Sequence, residues 1–376
     1  MTKIKAIIKK LNIERIIGVA TVLVIAVVGV HSLTNSHAQS PYASTQADTG
    51  TITTPATSEP CNGSSDGNCV VFGTSATGVV TPASYFTSSV TNQQVTSWSV
   101  AANSLAAVST LLSGMLYGQV GINENRPIFQ VPAGQAEVPV DVTNDCGWDF
   151  SINSSSSGNY NSVEVPIPSY AYPSTSSDLE MALYQPSTGQ EWDFWDASDS
   201  NGTWSVGDGG QLSITSNPPS FTTPCGSSAS GISEVATTIT EQDIEKGSIN
   251  HALSMEIPYN LCNGYVWPAT RGDCSQGGEP LAEGQYFRFP ASVNCSSYTD
   301  TPIEPMVCNA IKNYGLIIMD RNSGGLDLEG EDTRDWANQG HTGTDPLTTS
   351  LSSAGQWAAI PSLPWSQLQL VDPPQE

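Results

Sequence analysis

Basic and histidine side chains are scarce in this 376-residue chain. It holds 12 Lys and Arg against 36 Asp and Glu, a formal charge of −24. Nucleic acids and anionic membranes are bound through clustered Lys and Arg, so neither is an expected partner. Only four histidines occur, and two of them lie in the first 38 residues. Histidine-dependent chemistry is therefore restricted to His251 and His341.

Several signatures of known protein classes are also absent. No CxxC pair occurs, which argues against a structural zinc site. No GxSxG occurs, so nothing supports a serine-hydrolase nucleophile. Charged residues make up 13% of the chain, about half the usual quarter, and apolar runs of spanning length are missing. Coiled coils and polytopic membrane proteins are thereby excluded.

The first 38 residues predict a secretory signal peptide. Residues 1–15 are basic, residues 16–30 are an apolar run of 15, and the small side chains Ser36 and Ala38 precede Gln39. An uncleaved anchor is the alternative, although a full span needs about 20 apolar residues. Both interpretations place the rest of the chain outside the cytosol. We therefore expect a secreted protein, with attachment to the envelope left open.

Eight cysteines follow the leader, an even number that predicts a disulfide framework in an exported chain. Short separations favour three local bridges, and the remaining two cysteines would form a long-range one. The expected bridges are Cys61–Cys69, Cys262–Cys274, Cys295–Cys308 and Cys146–Cys225. Spacing alone leaves other pairings open.

Composition divides the chain into four segments. After the signal peptide of residues 1–38, residues 39–60 are rich in Ser, Thr and Pro and predict a disordered stalk. Residues 61–119 form an N-terminal extension, in which the Ala- and Leu-rich stretch 100–118 predicts one helix ending at a glycine. In residues 120–376, short apolar or alternating runs recur between Gly, Pro and Asn turns. This pattern predicts a mainly all-β domain, a disulfide-stapled β-sandwich of jelly-roll type.

A few short helices are expected within this β domain. Thr240 and Gly247 mark the start and the end of one. Thr301–Glu304 has the capping-box pattern of another, and Gly315 ends it. A proline in the first turn of the second helix favours a start about two residues later.

Histidine, tyrosine and arginine supply one set of candidate catalytic groups. His251 falls on the apolar face of the predicted strand 249–258, where a core histidine bonded to backbone is the commoner alternative to a proton-transfer group. Tyr286 and Arg288 would complete a lyase site, because elimination on uronic acids needs a cation and a proton-transfer group. Pairing of Arg288 with an acid is the alternative.

The run EWDFWD at residues 191–196 supplies a second set, in which acids alternate with aromatics. In a strand, one side would carry Glu191, Asp193 and Trp195, and the other Trp192, Phe194 and Asp196. Paired carboxylates perform acid–base work in glycosidases. The run resembles the E-x-D-x-x-E strand of laminarinase-type retaining glycosidases, which are jelly rolls, except that Asp196 replaces the last Glu. The alternative is a strand with an aromatic core face and a wet acidic face.

A calcium loop is the candidate metal site. Asp320, Asn322 and Glu331 fit its positions 1, 3 and 12, although Gly324 stands where Asp or Asn is expected. A hairpin turn at NSGG between two strands is the simpler alternative. Apart from calcium, no cofactor is expected.

Several short sequence motifs between residues 120 and 372 form a recognisable set. They are GINENRPIFQVP, YQPSTGQEWDFWDA, GSINHALSMEIP, YVWPATRGDC, EGQYFRFP and AIKNYGLIIMDRNSGGLDLEGED. These blocks resemble a group of secreted, functionally uncharacterised proteins of actinobacteria and other bacteria. The resemblance implies an exported bacterial protein with one β-rich domain, and it carries no catalytic assignment.

The combined expectation is a secreted glycan-active protein. Acids beside aromatics in a polar, exported β fold favour a hydrolase or lyase acting on an extracellular polysaccharide. Four side chains are candidate substrate contacts: Trp192, Trp195, Trp267 and Arg271. The alternatives are a non-catalytic module that binds a carbohydrate or cell-wall glycan, and a structural envelope protein. Convergence of His251, Asp193 and Arg288 in one open cleft would favour the enzyme.

Overall fold

The chain forms two compact units, Met1–Thr74 and Ser75–Glu376. The computed structural model describes residues 56–60, 68–72, 80–113, 118–143, 162–221, 226–273, 281–322, 325–338 and 340–374. The second unit includes the predicted N-terminal extension from Ser75 onward, because its short strand at Ser99–Val100 pairs into the largest sheet. Within the described residues, no helix is long and apolar enough to cross a membrane.

Strands are the main elements of both units. The strands are β1 (Ala56–Pro60), β2 (Asn68–Phe72), β3 (Ser99–Val100), β4 (Gly118–Arg126), β5 (Ile128–Gln130), β6 (Val138–Val142), β7 (Ser162–Val165), β8 (Met181–Gln185), β9 (Gln190–Trp195), β10 (Ser198–Ser200), β11 (Thr203–Val206), β12 (Asp208–Ser213), β13 (Leu253–Pro258), β14 (Cys262–Tyr265), β15 (Leu281–Glu283), β16 (Tyr286–Arg288), β17 (Leu316–Asn322), β18 (Leu326–Glu331), β19 (Trp357–Ala359) and β20 (Gln369–Asp372).

Helices are fewer and short. The α-helices are α1 (Ser104–Ser113), α2 (Glu241–Lys246), α3 (Glu304–Asn313), α4 (Arg334–Asn338) and α5 (Pro346–Leu351). Single 3-10 turns span Pro82–Tyr85, Val90–Asn92, Tyr259–Leu261, Cys295–Ser297 and Trp365–Gln367. The mainly β prediction is therefore confirmed.

The described part of the first unit is a two-stranded hairpin. Strands β1 and β2 pair antiparallel, with Glu59 opposite Cys69. The last five residues of the predicted disordered stalk are thus a strand, which corrects that expectation for Ala56–Pro60. Backbone pairing across the hairpin outweighs the polar composition that favoured disorder. The predicted Cys61–Cys69 bridge involves Cys61, which lies outside the described residues.

The largest sheet has eight strands in the order β19-β4-β18-β13-β17-β16-β20-β3. It is mixed, because β4 pairs parallel with β18 and β13 pairs parallel with β17. Strand alternation places Leu253, Met255 and Ile257 of β13 in the main hydrophobic core, beneath α1, α3 and α5. Residues Ser254 and Glu256 consequently point to the opposite face.

Two four-stranded sheets share a second core. Their orders are β12-β9-β8-β5 and β10-β11-β6-β7. Trp192 and Phe194 of β9 pack in this core with Trp204 of β11 and Val140 of β6. The other face of β9 is therefore left for polar residues, as the alternation in the sequence predicts.

The finer jelly-roll prediction is not confirmed. The sheets are open and contain parallel pairs, whereas a jelly roll is built from antiparallel strands. The hairpin prediction at NSGG is wrong, because β17 and β18 are not neighbours. Strand β13 lies between them and pairs with both. Strand β13 carries apolar residues that face the core, which suits a strand in the middle of a sheet. The turn residues at NSGG lie elsewhere in the chain and give no information about that central position.

The helix predictions hold in part. Helix α2 begins after Thr240 and ends at Gly247, which has the left-handed φ of 74°. Helix α3 begins at Glu304 with its proline in the first turn. Helix α1 is shorter than the predicted 100–118, and Gly118 begins β4 instead of ending a helix. A side chain at Gly118 would collide with the ring of Trp365, so close packing explains this glycine.

One predicted disulfide lies wholly within the described residues and is confirmed. Cys295 and Cys308 are bonded and join a 3-10 turn to helix α3. Cys262 is also disulfide-bonded. Its predicted partner Cys274 lies outside the described residues, as do Cys146 and Cys225.

Candidate active site

An open cleft of about 840 Å³ lies between strands of the eight-stranded sheet and the β9–β12 pair. Eight of its 14 lining residues are charged, whereas charged residues make up only 13% of the chain. The charged residues that line it are Asp178, Glu180, Asp208, Glu256, Arg271, Asp273, Asp320 and Arg321. This concentration of charge marks the cleft as the candidate site.

Two of these carboxyl groups stand in register on neighbouring strands. Glu256 of β13 pairs with Asp320 of β17 in the parallel ladder, next to a register shift between Met255 and Glu256. Such pairing holds the two Cα atoms about 5 Å apart. Both side chains line the cleft and both are partly buried. The pair therefore presents two close carboxyl groups to whatever the cleft holds.

The two carboxyl groups differ in acidity. Burial raises the pKa of Glu256 well above its ordinary value, and the charges of Glu329 and Asp320 add to the rise. Burial raises the pKa of Asp320 to about 6, against hydrogen bonds from the backbone N–H groups of Ala229 and Arg321. These bonds are 2.8 and 2.7 Å long. Burial therefore favours the protonated form of Glu256, whereas Asp320, with its pKa of about 6, is mostly ionised at neutral pH.

Arg126 lies behind the cleft and contacts four acids, two of which line it. Its Nε donates to Glu329 Oε2 at 2.9 Å, and its Nη2 donates to Glu256 Oε1 at 3.2 Å. Its Nη1 forms ion pairs with Glu180, at 3.5 Å, and with Glu234. Burial lowers the pKa of Arg126, but the four carboxylates outweigh this and hold the pKa well above its ordinary value. The guanidinium thus holds the Glu256 carboxyl group in place from behind the cleft.

One cation does not balance four carboxylates in this buried setting. Burial raises the pKa of Glu234 to about 8 and that of Glu180 well above its ordinary value, against the charge of Arg126. Protons therefore remain on part of the cluster at neutral pH.

An indole ring forms part of the cleft wall. Trp195 lies at the end of β9, is half-buried, and donates from Nε1 to Asp178 Oδ1 at 3.3 Å. Asp178 itself is exposed at the rim. An aromatic face held beside carboxylates is the arrangement that suits a sugar ring. The predicted contact residue Trp195 therefore lines the cleft, and its contact with a substrate stays a prediction.

The predicted acids Glu191 and Asp193 share one face of β9, but they do not line the cleft. Segment 233–235 covers them, and both are fully buried. Glu191 Oε1 accepts from Ser233 Oγ at 2.7 Å, and Asp193 Oδ2 accepts from the N–H of Glu234 at 3.0 Å. Burial raises the pKa of Glu191 to about 7 and that of Asp193 well above its ordinary value. The acidic face of β9, which was expected to be exposed to solvent, is instead covered by protein.

His251 lies just before β13 and is almost fully buried. Its Nδ1 is 2.8 Å from the carbonyl oxygen of Ala252, and its Nε2 is 3.1 Å from Asp243 Oδ2. The Asp243 contact ties the imidazole to the first turn of helix α2, and the Ala252 contact is to the adjacent backbone. This is the arrangement of a core histidine, and it lies away from the cleft-lining residues.

The remaining catalytic candidates are dispersed. Tyr286 is fully buried and packs edge-on against Trp98. Arg288 donates to the carbonyl oxygen of Val95. Asp196 is exposed, with a left-handed φ of 52°. The structure therefore does not bring His251, Tyr286, Arg288, Asp193 and Asp196 into one cleft.

Of the other predicted substrate contacts, one lines the cleft and two do not. Arg271 lines the cleft, and its Nη2 donates to the carbonyl oxygens of Gly226, at 2.6 Å, and of Ser228. Trp192 packs in the second core, which corrects its expected contact with substrate. Trp267 is 37% exposed and does not line the cleft.

The three residues of the predicted calcium loop do not converge. Asp320 and Asn322 both line the cleft, and Asn322 donates to Asp327 Oδ2 at 2.7 Å. Glu331 does not line the cleft and accepts from the N–H of Glu241 at 2.9 Å. Glu331 lies four residues further along β18 than Asp327, which is about 13 Å of strand. Among the described residues, no three His, Cys, Asp or Glu side chains are grouped to hold a metal ion.

Sequence reasoning missed Glu256, Glu180, Asp208 and Arg126, and it assigned Asp320 to calcium. The alternation of residues 249–258 placed Glu256 opposite the apolar face, which was the one signal available. No local pattern joins it to Asp320, because parallel pairing is a long-range contact. Comparison with known proteins gives no matching family model, no matching curated protein and no matching solved structure.

Proposed function

We propose that the cleft hydrolyses glycosidic bonds of an extracellular polysaccharide. The observation that carries this proposal is the pair of carboxyl groups of Glu256 and Asp320, in register on neighbouring strands and facing one cleft. Trp195 in the cleft wall supplies an aromatic face for a sugar ring. Two carboxyl groups of different acidity flanking one site are what glycoside hydrolysis needs.

We assign the roles from the directions of the pKa shifts, since burial favours the protonated form of Glu256. Glu256 donates its proton to the glycosidic oxygen as the bond to the leaving sugar breaks. The ionised Asp320 stabilises the positive charge at the anomeric carbon, either by attacking it or by taking a proton from the attacking water. Arg126 positions Glu256 from behind through the contact of Nη2 with Oε1.

An extracellular setting for this activity is part of the proposal. The leader predicts export, and the Cys295–Cys308 bridge is typical of proteins that fold in an oxidising compartment. A non-catalytic glycan-binding surface is the second candidate. It is favoured by the neighbouring exposed side chains of Tyr265 and Trp267, which are 52% and 37% exposed and lie outside the cleft.

Substitution of the two carboxyl groups tests the mechanism. We expect Glu256→Gln and Asp320→Asn each to lower hydrolysis of a susceptible polysaccharide by at least about 100-fold, because each removes one acid–base role. Released reducing ends measure the rate. An aryl glycoside with an acidic phenol as leaving group needs no general acid, so Glu256→Gln should recover on that substrate and Asp320→Asn should not.

Asp300→Asn is the matched control, since this exposed carboxylate does not line the cleft. The wild-type rate should rise as the pH increases through about 6, where Asp320 ionises, and fall at higher pH as Glu256 loses its proton. If the protein releases no product from polysaccharides or aryl glycosides, the hydrolase proposal is rejected. Retention on an insoluble polysaccharide that depends on Trp267 would then support the second candidate.

A further inference from the structure

The charge of the cleft bears on the kind of sugar polymer that it accepts. Six carboxyl groups and two guanidinium groups line it. Burial raises the pKa values of Glu180 and Glu256 and so favours their neutral forms. With these two left out of the count, four carboxyl groups still face two guanidinium groups. The cleft is therefore net negative at neutral pH.

Both arginines in the cleft are engaged by the protein itself. Arg271 donates to the carbonyl oxygens of Gly226 and Ser228. Arg321 donates from Nε to the Asp273 carboxylate at the rim. A substrate carboxylate would have to compete with these partners and would face the remaining acids. The cleft thus disfavours uronic-acid and sulfated polymers.

Two of the carboxylates stand at the rim, where a substrate reaches them first. Asp178 and Asp273 are exposed and line the cleft. Asp178 accepts from Trp195 Nε1, so one carboxylate lies at the edge of an indole ring that lines the cleft. A sugar stacked on that ring would bring a substituent close to the Asp178 carboxylate.

We infer that the cleft selects a polysaccharide of amino sugars with free, protonated amines. This inference rests on the proposed function, because it names the substrate class of the same cleft. An ammonium group on the sugar pairs with the Asp178 carboxylate at the rim, and the sugar face stacks on Trp195. Asp273 is held by Arg321 and acts by offsetting the charge of that guanidinium. An N-acetylated sugar of the same shape keeps the stacking and loses the ion pair.

Calorimetric titration of the full chain with hexasaccharides of one length tests the inference. Glucosamine hexasaccharide should bind about tenfold tighter than its N-acetylated counterpart at low ionic strength, and a galacturonate hexasaccharide should bind more weakly than either. The preference for the amine should shrink as salt is added. Asp178→Asn and Asp273→Asn should each reduce the preference several-fold, whereas Asp300→Asn, with the same change in total charge, should leave it unchanged.

Equal or tighter binding of the N-acetylated or the uronate hexasaccharide would overturn the inference, as would absence of binding by all three. Hexalysine that binds as tightly as the amino sugar would also overturn it, because the cleft would then recognise charge without the sugar. Failure of the proposed hydrolysis is distinguished by measuring product release from the same hexasaccharides. An amine preference without product from any hexasaccharide would reject hydrolysis, and product from the neutral one alone would reject only the amine selectivity.

Discussion

At the scale of single residues, Arg126 is the cation on which four acids in and behind the cleft depend. Its side chain is 3% exposed and contacts Glu180, Glu234, Glu256 and Glu329. Removing a charge from such a cluster leaves its partners buried without compensation, and this costs far more than the loss of a surface ion pair. Arg126 therefore supports both the stability of the fold and the position of Glu256.

We expect Arg126→Met to lower the free energy of unfolding by about 3–5 kcal/mol. Arg321→Met is the matched control, because Arg321 and Asp273 form an ion pair whose side chains are 38% and 41% exposed. Its loss should cost under about 1 kcal/mol. Urea unfolding at pH 7 measures both. Equal costs for the two variants would show that the buried cluster does not need its cation.

At the scale of elements, the start of helix α2 links a cap to the buried histidine. The N–H and Oγ1 of Thr240 donate to Asp243 Oδ2 at 3.0 and 2.9 Å, and the N–H of Asp243 reaches Thr240 Oγ1 at 3.3 Å. Asp243 Oδ2 also contacts His251 Nε2. The helix is only six residues long, so it depends on this cap more than on its own hydrogen bonds.

Thr240→Ala should destabilise the protein by about 1–2 kcal/mol, because it removes the hydroxyl that caps the helix. Thr240→Ser keeps that hydroxyl and should lie within about 0.5 kcal/mol of the wild type. Urea midpoints compare the two variants. If Thr240→Ser loses as much stability as Thr240→Ala, the role of Thr240 is packing by its methyl group and the cap has little effect.

At the scale of the whole molecule, the second unit buries an unusual number of acids. Burial raises the pKa of Glu191 to about 7, that of Glu234 to about 8 and that of Asp320 to about 6. The same holds for Glu283, where burial raises the pKa to about 9. In each case the folded state holds its proton to a higher pH than the unfolded chain does.

Stability should therefore fall as pH rises. Below about pH 3 these carboxyl groups are protonated in both states. From about pH 4, where the unfolded chain ionises, to about pH 9, stability declines until the folded groups also lose their protons. We expect Tm to be several degrees lower at pH 8 than at pH 5 at constant ionic strength. Calorimetry measures it, and a Tm that rises over this range would contradict the buried, protonated acids.

Much of the local structure was predictable from the sequence, for reasons that are themselves local. The two faces of Glu191–Trp195 follow from strand alternation, helix α2 from its cap and its terminal glycine, and Cys295–Cys308 from their short separation. The hairpin at NSGG was predicted wrongly because turn residues report where a strand ends and carry no information on its neighbour.

The sequence by itself determined the excess of acids, the mainly β composition and the positions of several elements. Only the tertiary structure decided which acids share a cleft. Glu191 and Asp193 carry the stronger local pattern, yet segment 233–235 covers them, whereas Glu256 and Asp320 meet through parallel pairing of β13 with β17. Burial and neighbouring charges set the acidity of each group, and both depend on residues that are far apart in the chain.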